Sequence, residues 1–226
     1  MKFYYPSTLN DTSPDNSLPV IIYINPLDYS YEVYAKQLER LASWGFVTVG
    51  NNAKKNTGNG EQAIKILQTL KEWNSIHFKN KLNLDKVGLV GAVGAINSVI
   101  KSPNEFKALY ILSPIQNEII KKQKYPWEYD TSKIQTPTLM VSTDSPLDRI
   151  MYISADNFNN YFKAIPVKAI SGVRKDKSSE SMYLYETAYM TIFFLEQLRT
   201  IEDKNVLTKD GDFGKNVNWT TASNNY

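Results

Sequence analysis

The sequence predicts an α/β fold in which a largely parallel sheet of about six strands lies between helices on both faces. Three observations lead to this prediction. Continuous apolar runs, rich in β-branched residues, recur along the chain as in strands that are buried on both faces. Longer segments with apolar side chains at helical spacing separate these runs. Strands that alternate with helices favour parallel pairing through right-handed crossovers.

Six apolar runs are the predicted strands. Each run is rich in valine, isoleucine, leucine or aromatic residues, which suit the interior of a sheet. Each is closed by glycine, asparagine, serine or proline, which favour a turn. In chain order, the predicted strands are 18–25, 45–52, 86–91, 106–114, 136–143 and 165–172.

Helical segments are predicted from the spacing of apolar side chains between the strands. After the first strand, the apolar residues that recur every three or four positions are Tyr31, Tyr34, Leu38 and Leu41. The stretch 60–74 carries a longer apolar stripe, and the segment 95–102 leaves the third strand as a helix. A last helix, 183–198, closes the domain.

One domain accounts for the whole chain. A length of 226 residues suits a single α/β domain with a substantial hydrophobic core. Residues 1–200 are assigned to this domain. Residues 201–226 are polar apart from a few large side chains, so they are predicted to form a tail on the domain surface.

Composition excludes several classes of partner and site. A formal net charge of +3 gives no basis for binding nucleic acid or a membrane, and the cluster of Lys121, Lys122 and Lys124 is interpreted as solvated surface. The chain has no cysteine and one histidine. We therefore expect no disulfide, no metal site and no cofactor.

The sequence also carries no signal for membrane insertion or export. No apolar run approaches the roughly 18 residues that a membrane-spanning helix needs. The first residues lack the apolar core of a signal peptide. A cytoplasmic location is expected, although secretion stays open because an exported protein without its leader would read the same way.

The strand-to-helix turn within residues 85–100 has the pattern of a nucleophile elbow without the nucleophile. The segment reads DKVGLVGAVGAINSVI, and the elbow pattern G-x-S-x-G falls on residues 91–95. The serine position of that pattern is Val93, whose side chain has no atom that could attack a carbonyl carbon. Gly91 and Gly94 have a second role, because they let the strand and the helix pack closely.

Seven segments in chain order carry a resemblance to a known family. They are FYYPS (3–7), INPLDY (24–29), LASWGFVTVGNN (41–52), DKVGLVGAVGA (85–95), QTPTLMVSTD (135–144), VKAISGVRKD (167–176) and GDFGKNVNW (211–219). The chain resembles the α/β-hydrolase superfamily, in particular its dienelactone hydrolase, cutinase and polyester (PET) hydrolase-like branch. This resemblance implies the α/β-hydrolase fold and the chemistry of a serine ester hydrolase. It also implies that strands which relatives place before Phe3 are missing, which would leave an uncovered sheet edge.

Carried over position by position, the resemblance leaves no catalytic residue intact. The serine falls on Val93 and the histidine falls on Lys175. The acid falls on Pro146, and a carboxylate from Asp144 or Asp148, which flank it, could reach the same place after a small shift.

The oxyanion site and the general base are affected as well. The aromatic residue of the oxyanion site falls on Asp28, beside Leu27 where glycine is usual, and an aspartate there would oppose the negative charge of a tetrahedral intermediate. The only histidine, His77, precedes the elbow strand and is therefore expected at the amino end of the sheet. No serine–histidine pair is expected at the carboxyl edge.

These replacements favour a catalytically inactive hydrolase-fold protein, a pseudoenzyme that binds a small ligand or a protein partner. The residues expected to line its pocket are Leu27, Asp28, Val93, Trp127 and Lys175, with Met151 or Tyr152 beside them. Val93 is expected at negative φ, because a β-branched residue at positive φ would be strained.

Two alternatives stay open. The first is an esterase or other hydrolase with relocated chemistry around Lys175 and Asp144, which requires a buried Lys175 that faces Val93. The second is a structural or interaction module, for example a homodimer, that uses an exposed sheet edge or the tail around Trp219.

Overall fold

Eight strands form one sheet in the computed structural model, which describes residues 1–10, 17–25, 30–52, 58–175, 187–201 and 206–224. The strands are β1 (Lys2–Tyr4), β2 (Leu18–Tyr23), β3 (Val47–Gly50), β4 (Leu82–Gly91), β5 (Ala108–Leu112), β6 (Thr138–Thr143), β7 (Ala169–Arg174) and β8 (Trp219–Asn224). Their spatial order is β1-β3-β2-β4-β5-β6-β7-β8. The six inner strands run parallel, and β1 and β8 pair antiparallel at the two edges. The predicted α/β fold with a largely parallel sheet is confirmed.

Helices connect the strands and lie on both faces of the sheet. They are α1 (Ala35–Ser43), α2 (Glu61–His77), α3 (Val93–Lys101), α4 (Asn117–Lys122), α5 (Pro146–Met151), α6 (Ala155–Lys163), α7 (Ala188–Arg199) and α8 (Asp212–Lys215). Short 3-10 helices occupy Ser7–Asn10, Tyr31–Tyr34 and Thr131–Lys133. The predicted helices 60–74 and 95–102 correspond to α2 and α3. The last predicted helix corresponds to α7, and its first residues, 183–186, lie outside the described residues. No helix of the described ranges is long and apolar enough to span a membrane.

Two hydrophobic cores fill the space between the sheet and its helices. Buried side chains of α2, α3 and α6 cover one face, and those of α1, α7 and α8 cover the other. Gly88 in β4 allows the second layer to lie close, because a Cβ there would be 2.6 Å from Phe194 of α7. Burial on both faces explains why the inner strands read as continuous apolar runs in the sequence.

The C-terminal segment is part of the sheet, which corrects the prediction of a surface tail for residues 201–226. β8 pairs with β7, and Phe213 and Trp219 are buried. Their rings lie 4.9 Å apart, and Tyr189 of α7 lies 4.8 Å from Phe213. Gly172 of β7 makes room for this cluster, because a Cβ there would lie 2.6 Å from Phe213. Two aromatic anchors therefore hold an otherwise polar segment in place.

The order of the strands marks a crevice at the carboxyl edge of the sheet. The chain leaves β2 for β3 on one side, whereas β4 pairs with β2 on the other side. Connections therefore change direction between β2 and β4. Ligands of open α/β sheets bind outside the carboxyl ends of the strands at such a switch point, which is the end where β4 meets α3.

Candidate functional site

The turn between β4 and α3 does not have the strained geometry of a nucleophile elbow. β4 ends at Gly91, Ala92 has φ −107° and ψ −130°, and α3 begins at Val93. Val93 is not among the non-glycine residues with positive φ. The expected negative φ of Val93 is confirmed, because the residue is the first one of an ordinary helix.

The apolar side chain of Val93 occupies the position that the elbow pattern assigns to the nucleophile. Val93 is 4% exposed and belongs to the same buried cluster as Ile115, Trp127 and Ile153. Gly91 keeps a packing role, since a Cβ there would lie 3.0 Å from both the Cβ of Ala95 and the carbonyl oxygen of Ile24. The turn can therefore be retained for packing whatever residue stands at position 93.

Asp148, one of the two carboxylates that flank the expected acid position, lies at the start of α5. Asp148 is 1% exposed and accepts hydrogen bonds from the hydroxyls of Thr143 and, over 2.6 Å, Ser145. The backbone N–H of Asp148 donates in turn to the Ser145 hydroxyl over 3.1 Å. Ser145 is therefore the N-cap of α5, with Pro146 at the first helical position.

Asp144, the other flanking carboxylate, is held by an arginine. Its Oδ1 accepts from Nε of Arg149 at 2.8 Å and lies 2.6 Å from Nη2 of the same side chain. Both carboxylates near Pro146 are thus engaged in local contacts. Neither of them is paired with an imidazole, since the one histidine of the chain lies elsewhere.

The two side chains considered as bases, Lys175 and His77, do not contribute a base to the crevice. Lys175 follows β7 at the carboxyl edge and is exposed, and its backbone N–H donates to the carbonyl of Asn218 over 2.9 Å. His77 is the last residue of α2 and precedes β4, so it lies at the amino end of the sheet. Its exposed ring meets the edge of Trp73 with centroids 5.4 Å apart.

Only some of the predicted pocket residues lie among the described residues. Trp127 shares the buried cluster of Val93, stacks on Tyr125 with ring centroids 4.9 Å apart, and covers Gly58. Tyr152 is half-buried beside this cluster. Leu27 and Asp28 lie outside the described residues, as does the side chain of Met151.

A cavity that the sequence analysis missed lies on the opposite face, at the switch point. Its lining comes from β2, β4, β5 and α1 and includes the polar side chains Tyr23, Tyr34, Gln37 and Tyr110. Burial, with Tyr110 nearby, raises the pKa of Tyr23 well above its usual value, so this phenol stays protonated. The cavity volume is about 10 Å³, which suits a single water molecule. The only signal in the sequence was a pair of tyrosines within apolar strands.

Backbone strain lies one strand away from the elbow, at Ser113. This residue follows β5, is 1% exposed and has φ +40°. Its hydroxyl lies 3.3 Å from that of Ser142 at the end of β6. Non-glycine residues at positive φ are concentrated at functional positions. A nucleophilic serine, however, needs an adjacent base. The group opposite the Ser113 hydroxyl in this contact is the hydroxyl of Ser142, which is not such a base.

Comparison with known proteins adds no assignment to this geometry. No protein-family model matches the chain, and no curated protein matches it at a significant level. The resemblance to α/β-hydrolases therefore stays a prediction, whereas the α/β fold follows from the strand order and the helices themselves.

Proposed function

We propose that this chain is a non-catalytic protein of the α/β-hydrolase fold, a pseudoenzyme that acts by binding. The observation that carries this proposal is the state of position 93, where a buried valine begins α3 without positive φ. A serine esterase needs at this point an exposed hydroxyl, held in a strained turn and activated by an imidazole. None of these three features is available at Val93.

Steric and chemical features around the crevice support binding without turnover. Asp148 accepts hydrogen bonds from the hydroxyls of Thr143 and Ser145, and Lys175 is an exposed residue. The alternative of relocated chemistry requires Lys175 to be buried and facing Val93, so the geometry does not favour it.

The edges of the described sheet are the feature that favours a protein partner. β1 and β8 are the outermost strands of the described sheet, and strand edges are recurrent sites of protein contact. A homodimer is one form that such contact could take, and light scattering measures it directly.

An esterase assay tests the absence of turnover. With a series of short p-nitrophenyl acyl esters, we expect hydrolysis no faster than in buffer, because Val93 has no nucleophilic atom and His77, the one histidine, lies at the amino end of the sheet. Ser113→Ala and Lys175→Ala are the matched control variants, since they remove the strained hydroxyl and the displaced cation. Turnover above buffer that either variant abolishes would overturn the proposal and identify the relocated chemistry.

A further inference from the structure

An asparagine–glycine pair lies in the turn that precedes α2. Asn59 is half-buried, and Gly60 is the N-cap of α2 with φ +85°. The backbone N–H of Glu61 donates to Oδ1 of Asn59 over 3.0 Å. Because Gly60 has no side chain, its amide nitrogen has the least steric hindrance to attack on the neighbouring side chain. We propose that Asn59 is a site of spontaneous deamidation in the folded protein.

The reaction needs water but no cofactor or enzyme. The backbone nitrogen of Gly60 attacks Cγ of Asn59, a new N–Cγ bond forms, and the Cγ–Nδ2 bond breaks. The side-chain nitrogen leaves as ammonia with the proton that the Gly60 nitrogen loses, and a succinimide ring remains. Water then opens the ring to aspartate or to isoaspartate. The N–H of Glu61 supports the first step, because it donates to the oxygen on which negative charge develops.

The position of this turn gives the reaction a structural consequence. Nδ2 of Asn97 donates to the carbonyl of Gly58 over 2.8 Å, and the Ser98 hydroxyl donates to the carbonyl of Gly60 over 2.7 Å. Both donors belong to α3, the helix that begins at Val93. Isoaspartate adds a methylene to the backbone between the two anchored carbonyls, so both hydrogen bonds cannot be kept. Aspartate leaves the backbone length unchanged.

Peptide mapping of the full chain tests the site. The folded protein and the same chain unfolded in urea are held at mildly alkaline pH, and each asparagine peptide is followed for a mass gain of one dalton. Asn74 is the internal reference, because its amide bonds the backbone of Leu82 at 3.0 and 3.1 Å. We expect the folded chain to gain mass at Asn59 and not at Asn74. If Asn59 stays intact in the folded chain while the unfolded chain converts, or if Asn74 reacts as fast, the proposal is wrong.

Two variants separate the chemical step from its consequence. Asn59→Ser removes the reacting amide, so its peptide should gain no mass. Asn59→Asp reproduces the aspartate product with an unchanged backbone, and it should melt close to the wild-type temperature. Aged wild-type protein that contains isoaspartate should melt below Asn59→Asp. Equal melting temperatures would refute the loss of the anchors to α3.

Discussion

At the scale of single residues, backbone strain lies at a different position from the one that the elbow pattern predicts. The serine that carries a positive φ is Ser113, whereas Val93 lies in a relaxed helix. Positive φ costs a residue with a side chain about 1 kcal/mol or more. Its persistence at Ser113 indicates that packing at the end of β5 and the contact with Ser142 hold the backbone there.

Substitution of Ser113 measures this strain. Ser113→Ala keeps the strained φ and removes the hydroxyl from Ser142, whereas Ser113→Gly removes the same hydroxyl and relieves the strain. We expect the glycine variant to be more stable than the alanine variant by roughly 1 kcal/mol in the free energy of unfolding. Urea denaturation of the two variants provides the comparison. An alanine variant as stable as the glycine variant would show that φ at residue 113 is not strained.

At the scale of elements, the inner strands were predictable because both of their faces are buried. The run 18–25, for example, is apolar at nearly every position, and it contains β2. The edge strand β8 has no comparable signal. It reads WTTASN, and the position of its anchor Trp219 depends on a space made by Gly172, which is distant in sequence.

Two local features of the candidate site were predictable, and its arrangement was not. The sequence predicted the negative φ of Val93 and the position of the lone histidine away from the carboxyl edge, and both are confirmed. The sequence did not identify the switch-point cavity. Tyr23 and Tyr110 come together only because β4 lies between β2 and β5 and pairs with both. The role of Asp148 was missed as well, although Ser145, three residues earlier, is of a type that favours the N-cap position of a helix.

Variants of Trp219 test whether β8 is integral to the fold. Trp219→Ala should lower the free energy of unfolding by about 3–5 kcal/mol, because it leaves a cavity between Phe213 and Gly172. Trp219→Phe is the matched control. It should cost much less, because Nε1 of Trp219 is buried without a hydrogen-bond partner among the described residues. Thermal or urea unfolding checks both values. An alanine variant of unchanged stability would show that β8 is not integral to the fold and would favour the prediction of a surface tail.

At the scale of the whole molecule, the sheet, its switch point and its turn glycine can persist without catalysis because each has a packing role. Gly91 is needed where β4 meets Ile24 and Ala95, and Asp148 accepts hydrogen bonds from Thr143 and Ser145 at the start of α5. Stability alone gives both residues a role. A catalytic serine and histidine would have no such second role, and the resemblance to α/β-hydrolases assigns them to positions where the sequence reads valine and lysine.

The packing roles of these residues predict the result of installing the serine and histidine that the resemblance to α/β-hydrolases implies. The double variant Val93→Ser and Lys175→His supplies both missing side chains, yet we expect no ester hydrolysis above buffer. Residue 93 would remain the first residue of α3 without the elbow geometry, and residue 175 lies on the exposed end of β7. Near-attack geometry is worth several orders of magnitude in rate, so the residues alone are insufficient. The assay uses p-nitrophenyl acetate with the single Lys175→His variant as control. Turnover in the double variant alone would mean that the crevice still holds catalytic geometry and that only two side chains were lost.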